Sequence, residues 1–185
     1  MDEHRMAEVS YARESLVAAL SDRGISYLAP SDALAREMPE SHEQLLRALL
    51  HQDDSRLRLA IIPLLLRHPG ISASVPELAA SLDDVASLDL QTLYMAAVYL
   101  QRNWRSRLSI YLDDMTLLPD LFSHHMGLPL PDERFGKTGL VELADAWQAR
   151  SQYPFERLQA LNNTIELFFG QLKLEKSKRS HAPEM

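Results

Sequence analysis

Three features of the sequence predict an all-α protein, an irregular helical bundle or short array of about seven helices. Apolar residues recur at steps of three and four almost throughout, the spacing that places them on one helix face. Capping signatures stand where several of these stretches begin. No stretch carries the alternation and two-residue turn chemistry of a hairpin, so no significant sheet is expected. The 185 residues make one ordinary domain, able to bury roughly two-thirds of its unfolded surface. It is placed at residues 1–176, with 177–185 expected as a flexible basic tail.

The elements follow in order. Met6, Val9, Ala12, Leu16, Ala19 and Leu20 form the apolar face of the first helix, and Gly24 stops it after Arg23. Residues 25–40 carry Pro30 and Pro39 and read as a connector with one short helix at 33–37. Ser41 and Gln44 have capping-box spacing and begin the second helix, whose stripe is Leu45, Leu46, Leu49 and Leu50. Asp53 or Asp54 caps the next helix, residues 55–68. Its middle, Leu59 to Leu66, is apolar all round and belongs at the centre of the domain. Pro63 lacks the N–H that helix interiors need and should kink it.

Pro69-Gly70 ends that helix, and Ser74, Pro76 and Glu77 mark a short one over 75–82. The longest helix is predicted at 89–112, where Leu90, Leu93, Tyr94, Ala97, Val98, Gln101, Trp104, Leu108 and Tyr111 share a face. Residues 113–136 are rich in Pro and Asp, with a short helix at 118–126. Two helices close the chain, 137–152 and 154–176, with Pro154 suited to the first turn. In the last of them Leu158, Leu161, Ile165, Phe168 and Leu172 step by three, four, three and four, a short heptad seam.

Composition narrows the function. The chain is 46% hydrophobic and 24% charged, a globular balance. It has no cysteine, which excludes disulfides, thiolate metal sites and a cysteine nucleophile. No apolar segment follows the charged start Met1-Asp2-Glu3-His4-Arg5, so no signal peptide is expected and the location expected is cytoplasmic. A net charge of −7 disfavours DNA by default and suits a basic protein surface.

Few motifs suggest chemistry. Gly136-Lys137-Thr138 resembles the end of a phosphate loop, but Pro131 stands where that loop needs glycine, so a turn into a helix is expected. His124 and His125 lie near Asp113, Asp114 and Asp120, yet adjacent helical residues point about 100° apart and rarely share an ion. No metal site and no cofactor are expected. Arg102, Arg105 and Arg107 surround Trp104 and form the candidate anion-binding or nucleic-acid patch. Trp104 also lies on the apolar face, where the core is its default place.

Arg36 and His42 are spaced as in the Arg-x(4–6)-His signature of HEPN ribonuclease domains, which are also all-α. The resemblance implies that this pair would act on an RNA phosphodiester. Pro39 interrupts the segment, and Glu37 stands where Asn, Asp or His is usual. Leu45 to His68 resembles one HEAT-type helical hairpin, with its leucine-rich helix, the Asp53-Asp54 turn and a second apolar helix. Ile61-Ile62-Pro63 departs from the small-residue pattern of that family, and no second copy appears at a forty-residue period, which points to a HEAT-like bundle.

The segments Leu117-Leu118-Pro119-Asp120 and Leu128-Pro129-Leu130-Pro131-Asp132-Glu133-Arg134-Phe135-Gly136-Lys137-Thr138-Gly139-Leu140 are similar to small helical bacterial proteins encoded beside minimal nucleotidyltransferases. Tyr153-Pro154-Phe155 and the helix after it fit the same likeness. Those pairs resemble toxin–antitoxin modules, which implies a partner-binding role. The enzyme of such a pair carries Gly-Ser followed by Asp-x-Asp, and this chain has neither.

The leading expectation is a non-enzymatic protein that binds and regulates another protein. Its candidate surface is Phe135 with the seam residues Leu161, Ile165, Phe168, Phe169 and Leu172; that seam faces either a partner or the core. The alternative is an RNA-directed protein using Arg36 and His42 or the Arg102–Arg107 patch. Self-association is the third reading.

Overall fold

A computed structural model describes residues 11–28, 37–113, 115–150 and 156–180. Ten α-helical segments appear among them: α1 (Arg13–Asp22), α2 (His42–Leu50), α3 (Ser55–Leu59), α4 (Ile61–Arg67), α5 (Val75–Ser81), α6 (Asp84–Asn103), α7 (Arg105–Leu108), α8 (Ser123–Met126), α9 (Lys137–Arg150) and α10 (Arg157–Ser180). Two 3-10 turns, Pro69–Ala73 and Glu133–Gly136, complete the set, and no strand occurs among the described residues. This is the all-α bundle expected.

α6 is the axis. Every residue from Thr92 to Gln101 is buried, because α4, α5, α9 and the Glu133–Gly136 turn pack around it. α10 lies against α4 and α9, and α1 against α2. The buried apolar side chains of these helices join in one core cluster. Ile61 to Leu66 are all buried in α4, as an element apolar all round requires.

Ser41, Asp54 and Gly24 act where the local pattern placed them. The Ser41 hydroxyl accepts from the Gln44 N–H at 3.1 Å. The Gln44 amide reaches back one residue further than a capping box does and accepts from the Glu40 N–H at 2.9 Å. Asp54 caps α3 through the Arg56 N–H. α1 ends in a Schellman turn: Gly24, at φ 79°, lets its own N–H reach Ser21 O at 2.9 Å and the Ile25 N–H reach Leu20 O at 2.8 Å.

Several local details differ from expectation; the helix expected at 118–126, for one, is confined to Ser123–Met126. The predicted 55–68 helix breaks at Ala60, one turn before Pro63, because the proline leaves the Leu59 carbonyl without its helical donor. The longest helix starts five residues earlier than predicted: Asp83 caps it by accepting from the Val85 and Ala86 N–H groups at 2.9 and 3.0 Å. It also ends earlier, turning at Trp104 (φ −110°, ψ 17°) into α7. A straight helix would carry residues 105–112 outward by about 1.5 Å each. The turn instead keeps Trp104 and Tyr111 against Phe169, with ring centroids 5.7 and 6.3 Å away. The Ser74 hydroxyl does not cap α5; it donates to Ile71 O at 3.0 Å.

α10 continues to Ser180, so Lys176, Lys178 and Arg179 are helical. It is bound to the α1–α2 connector by Gln171, which donates to Gly24 O at 2.6 Å and accepts from the Ser26 N–H at 2.8 Å. Arg67 joins the same junction through Gly24 O and Glu175. Residues 33–36 of the short helix expected at 33–37, and the Pro154 start, lie outside the described residues.

Candidate functional site

Residues 115–136 have little regular structure, yet they are held closely, because α6 offers polar side chains toward them. Tyr94 donates to Pro119 O at 2.8 Å and Tyr99 to Pro129 O at 2.6 Å. Gln101, 1% exposed, donates to Thr116 O at 2.9 Å and accepts from the Leu118 N–H at 2.8 Å. Arg102 donates to Leu118 O at 2.9 Å and lies 3.4 Å from an Asp132 carboxylate oxygen. Loop carbonyls that face the core thus find donors, as buried backbone groups must. Burial pushes the phenols of Tyr94 and Tyr99 well above the ordinary tyrosine range, so both stay protonated donors.

Two glycines seat the end of this loop. A Cβ on Gly136, which sits at φ 79°, would lie 2.5 Å from Tyr99 O. A Cβ on Gly139 would lie 2.1 Å from a Tyr99 ring carbon. Only glycine permits both approaches. On this seat Arg134 and Phe135 adopt φ 46° and 57°, the left-handed region that side chains disfavour. Phe135 is 77% exposed and Leu130, on the same loop, 68%. The result is an anchored loop that holds an aromatic ring out to solvent.

The other candidates are distributed differently. Leu161, Ile165, Phe168, Phe169 and Leu172 are all at most 2% exposed, so the heptad seam is core and offers no surface to a partner. This corrects the expectation that grouped them with Phe135. The reason is that α4 and α9 pack on α10, while Trp104, Tyr111 and Arg107 close over Phe169.

The patch of Arg102, Arg105 and Arg107 does not form either. Arg102 is turned inward to the loop, whereas Arg107 pairs with Glu166 at 2.8 Å and lies 3.9 Å above the Phe169 ring. Arg105 is the exposed one. The basic groups that do converge are Arg58, Arg150 and Arg157 around Asp89. Burial raises that carboxyl above its ordinary range in spite of them.

Arg36 lies outside the described residues, so the Arg36–His42 pair has only one placed member. His42 begins α2, with its ring 5.3 Å from that of His68, and its Nε2 is buried with no hydrogen-bond partner among the described residues. His68 Nε2 contacts Arg23 O at 2.7 Å. Arg23 in turn donates to Ala19 O, Pro39 O and Glu40 O, so these side chains join the ends of α1, α2 and α4.

Burial first, then Arg23 and His68, lowers the His42 pKa below the ordinary histidine value. The unfolded chain therefore takes up this proton at a higher pH than the folded chain does. Its stabilising effect is complete above about pH 6.5 and is lost as the pH falls below that value. His42→Phe keeps a ring and removes the titration. Its melting temperature should fall less than that of the parent between neutral and mildly acidic pH, as circular dichroism would record; parallel curves would show that His42 does not carry the effect.

Gly136-Lys137-Thr138 is a turn into α9, with Lys137 as its first residue. Among the described residues no group of three or more His, Asp or Glu side chains could hold a metal ion, and no helix is long and apolar enough to cross a membrane. Phe135 was legible in the sequence, but the supporting roles of Tyr99, Gln101, Gly136 and Gly139 were not. Paired glycines at the entrance to a helix were the available signal, since a helix interior otherwise disfavours Gly139.

Fold and loop together define an all-α helical bundle that presents a fixed aromatic loop. No family model, curated protein or solved structure matches the chain.

Proposed function

We propose that this chain is a non-enzymatic regulatory protein that binds another protein through the Phe135 loop. The sequence around that loop carries the resemblance to proteins encoded beside minimal nucleotidyltransferases, and on that resemblance such an enzyme is the partner we propose. The observation that carries the reading is Phe135 itself, 77% exposed at φ 57°. A bulky residue in this backbone region costs about 1–2 kcal/mol, and an exposed ring returns little of that to the folded monomer. Strain of this kind gathers at binding and switch positions. Exposed aromatic rings held rigidly are the usual anchors of protein interfaces.

Phe135→Gly tests the proposal. Glycine relieves the left-handed strain while adding freedom to the unfolded chain, so thermal stability should be unchanged or higher. Capture of a protein partner by the tagged chain from its native host should be lost. Titration of the captured partner should show weakening by about 2 kcal/mol or more, roughly thirtyfold. Undiminished capture by the variant would remove Phe135 from the interface and the proposal with it.

A further inference from the structure

The face of α10 turned away from the core has an organisation of its own. Glu166, Leu167, Gly170, Lys173 and Leu174 are all exposed, Leu167 by 54% and Leu174 by 64%. Gly170 sits in mid-helix, where glycine is disfavoured. Among the described residues nothing explains it: a Cβ at Gly170 would have no atom within 4 Å. Packing among the described residues therefore does not require the one residue that lets another backbone approach this face closely.

These five residues are arranged symmetrically in chemical type. Leu167 and Leu174 lie three before and four after Gly170; Glu166 and Lys173 lie four before and three after it. At about 100° per residue both leucines fall about 40–60° to one side of Gly170, and both charges about 40–60° to the other.

We infer that α10 pairs in antiparallel fashion with α10 of a second copy of this chain, across a two-fold axis at Gly170. An antiparallel two-fold axis stands perpendicular to the plane of the two helices, so each flank meets its own kind. Leu167 then faces Leu174 of the other copy, and Glu166 faces its Lys173. A parallel pair has its axis along the helices, which sets the leucine flank against the charged one. Glu166 also pairs with Arg107 in its own chain, but its carboxylate stays half exposed and open to a second cation. An isologous contact needs one patch complementary to itself, and this patch meets that condition. Two leucines a side make a small interface, so the dimer is expected to be weak and concentration-dependent.

Sedimentation and light scattering of the full chain over rising concentration should show a 21.0 kDa species moving toward twice that mass. Leu174→Asp should hold it at the monomer mass with an unchanged circular dichroism spectrum. Glu166→Lys and Lys173→Glu should each weaken the dimer, and the double variant should restore it, which a parallel pair would not do. Because the chain has no cysteine, Gly170→Cys reports the axis directly. Mild oxidation should cross-link it to itself across the dimer, whereas a cysteine at exposed Ser106 should not cross-link. A monomer at every concentration would overturn the inference, as would a dimer indifferent to these α10 changes. Phe135→Gly should leave the dimer intact, so failure here is distinguishable from failure of the partner-binding proposal.

Discussion

Gly139→Ala is expected to lower stability by about 3 kcal/mol, from forced overpacking and a lost buried hydrogen bond. The added methyl carbon would stand 2.1 Å from the ring of Tyr99, which is fully buried in a close-packed interior. If the ring turns away, it leaves the Pro129 carbonyl that its hydroxyl serves at 2.6 Å. If it stays, α9 must move off α6. Both responses disturb the seat of the Phe135 loop, so partner capture should weaken with stability. Denaturant unfolding checks the first effect. A second change, Tyr99→Leu, makes room for the methyl, so the double variant should be more stable than the two single losses predict when added. Strict additivity would show that the contact between Gly139 and Tyr99 is not what the alanine breaks.

Phe168→Ala is expected to cost about 3–5 kcal/mol, the range for truncating a buried aromatic ring. Phe168 is 0% exposed, and α10 uses it to close the core against its neighbours. As a partner-binding residue it would weaken capture and leave the melting temperature alone. As core it should do the reverse: a large shift in the unfolding midpoint, with the affinity of the folded fraction for a partner kept. The comparison with Phe135→Gly is therefore informative. Two phenylalanines of one chain should give opposite patterns, because one ring is surrounded by the core and the other by water.

The local structure of this chain was largely legible. Ser41 and Asp54 cap where their spacing placed them, and Gly24 closes α1, because caps and turns depend on residues within one or two turns of helix. Leu59–Leu66 declared its burial by having no polar face. Where expectation missed, a longer-range contact had prevailed. The turn at Trp104 keeps two aromatic groups on Phe169, which comes sixty-odd residues later, and no periodicity within 89–112 contains that information.

The same holds for the sites. Phe135 could be singled out from its own segment, but its left-handed backbone depends on Gly136 and Gly139 meeting Tyr99, some forty residues earlier. On α10 the heptad seam was visible, yet a 3.5-residue repeat is the same whether it meets the core or another molecule. Packing of α4, α9 and the Trp104–Tyr111 segment decided that it is core, and left Leu167, Gly170 and Leu174 as the open face. Periodicity and capping thus sufficed for the helices and the all-α class, since both act through short-range hydrogen bonds and burial. Which faces are covered, and which aromatic ring reaches solvent, depended on contacts between residues far apart in the chain, and those exist only once the helices have packed.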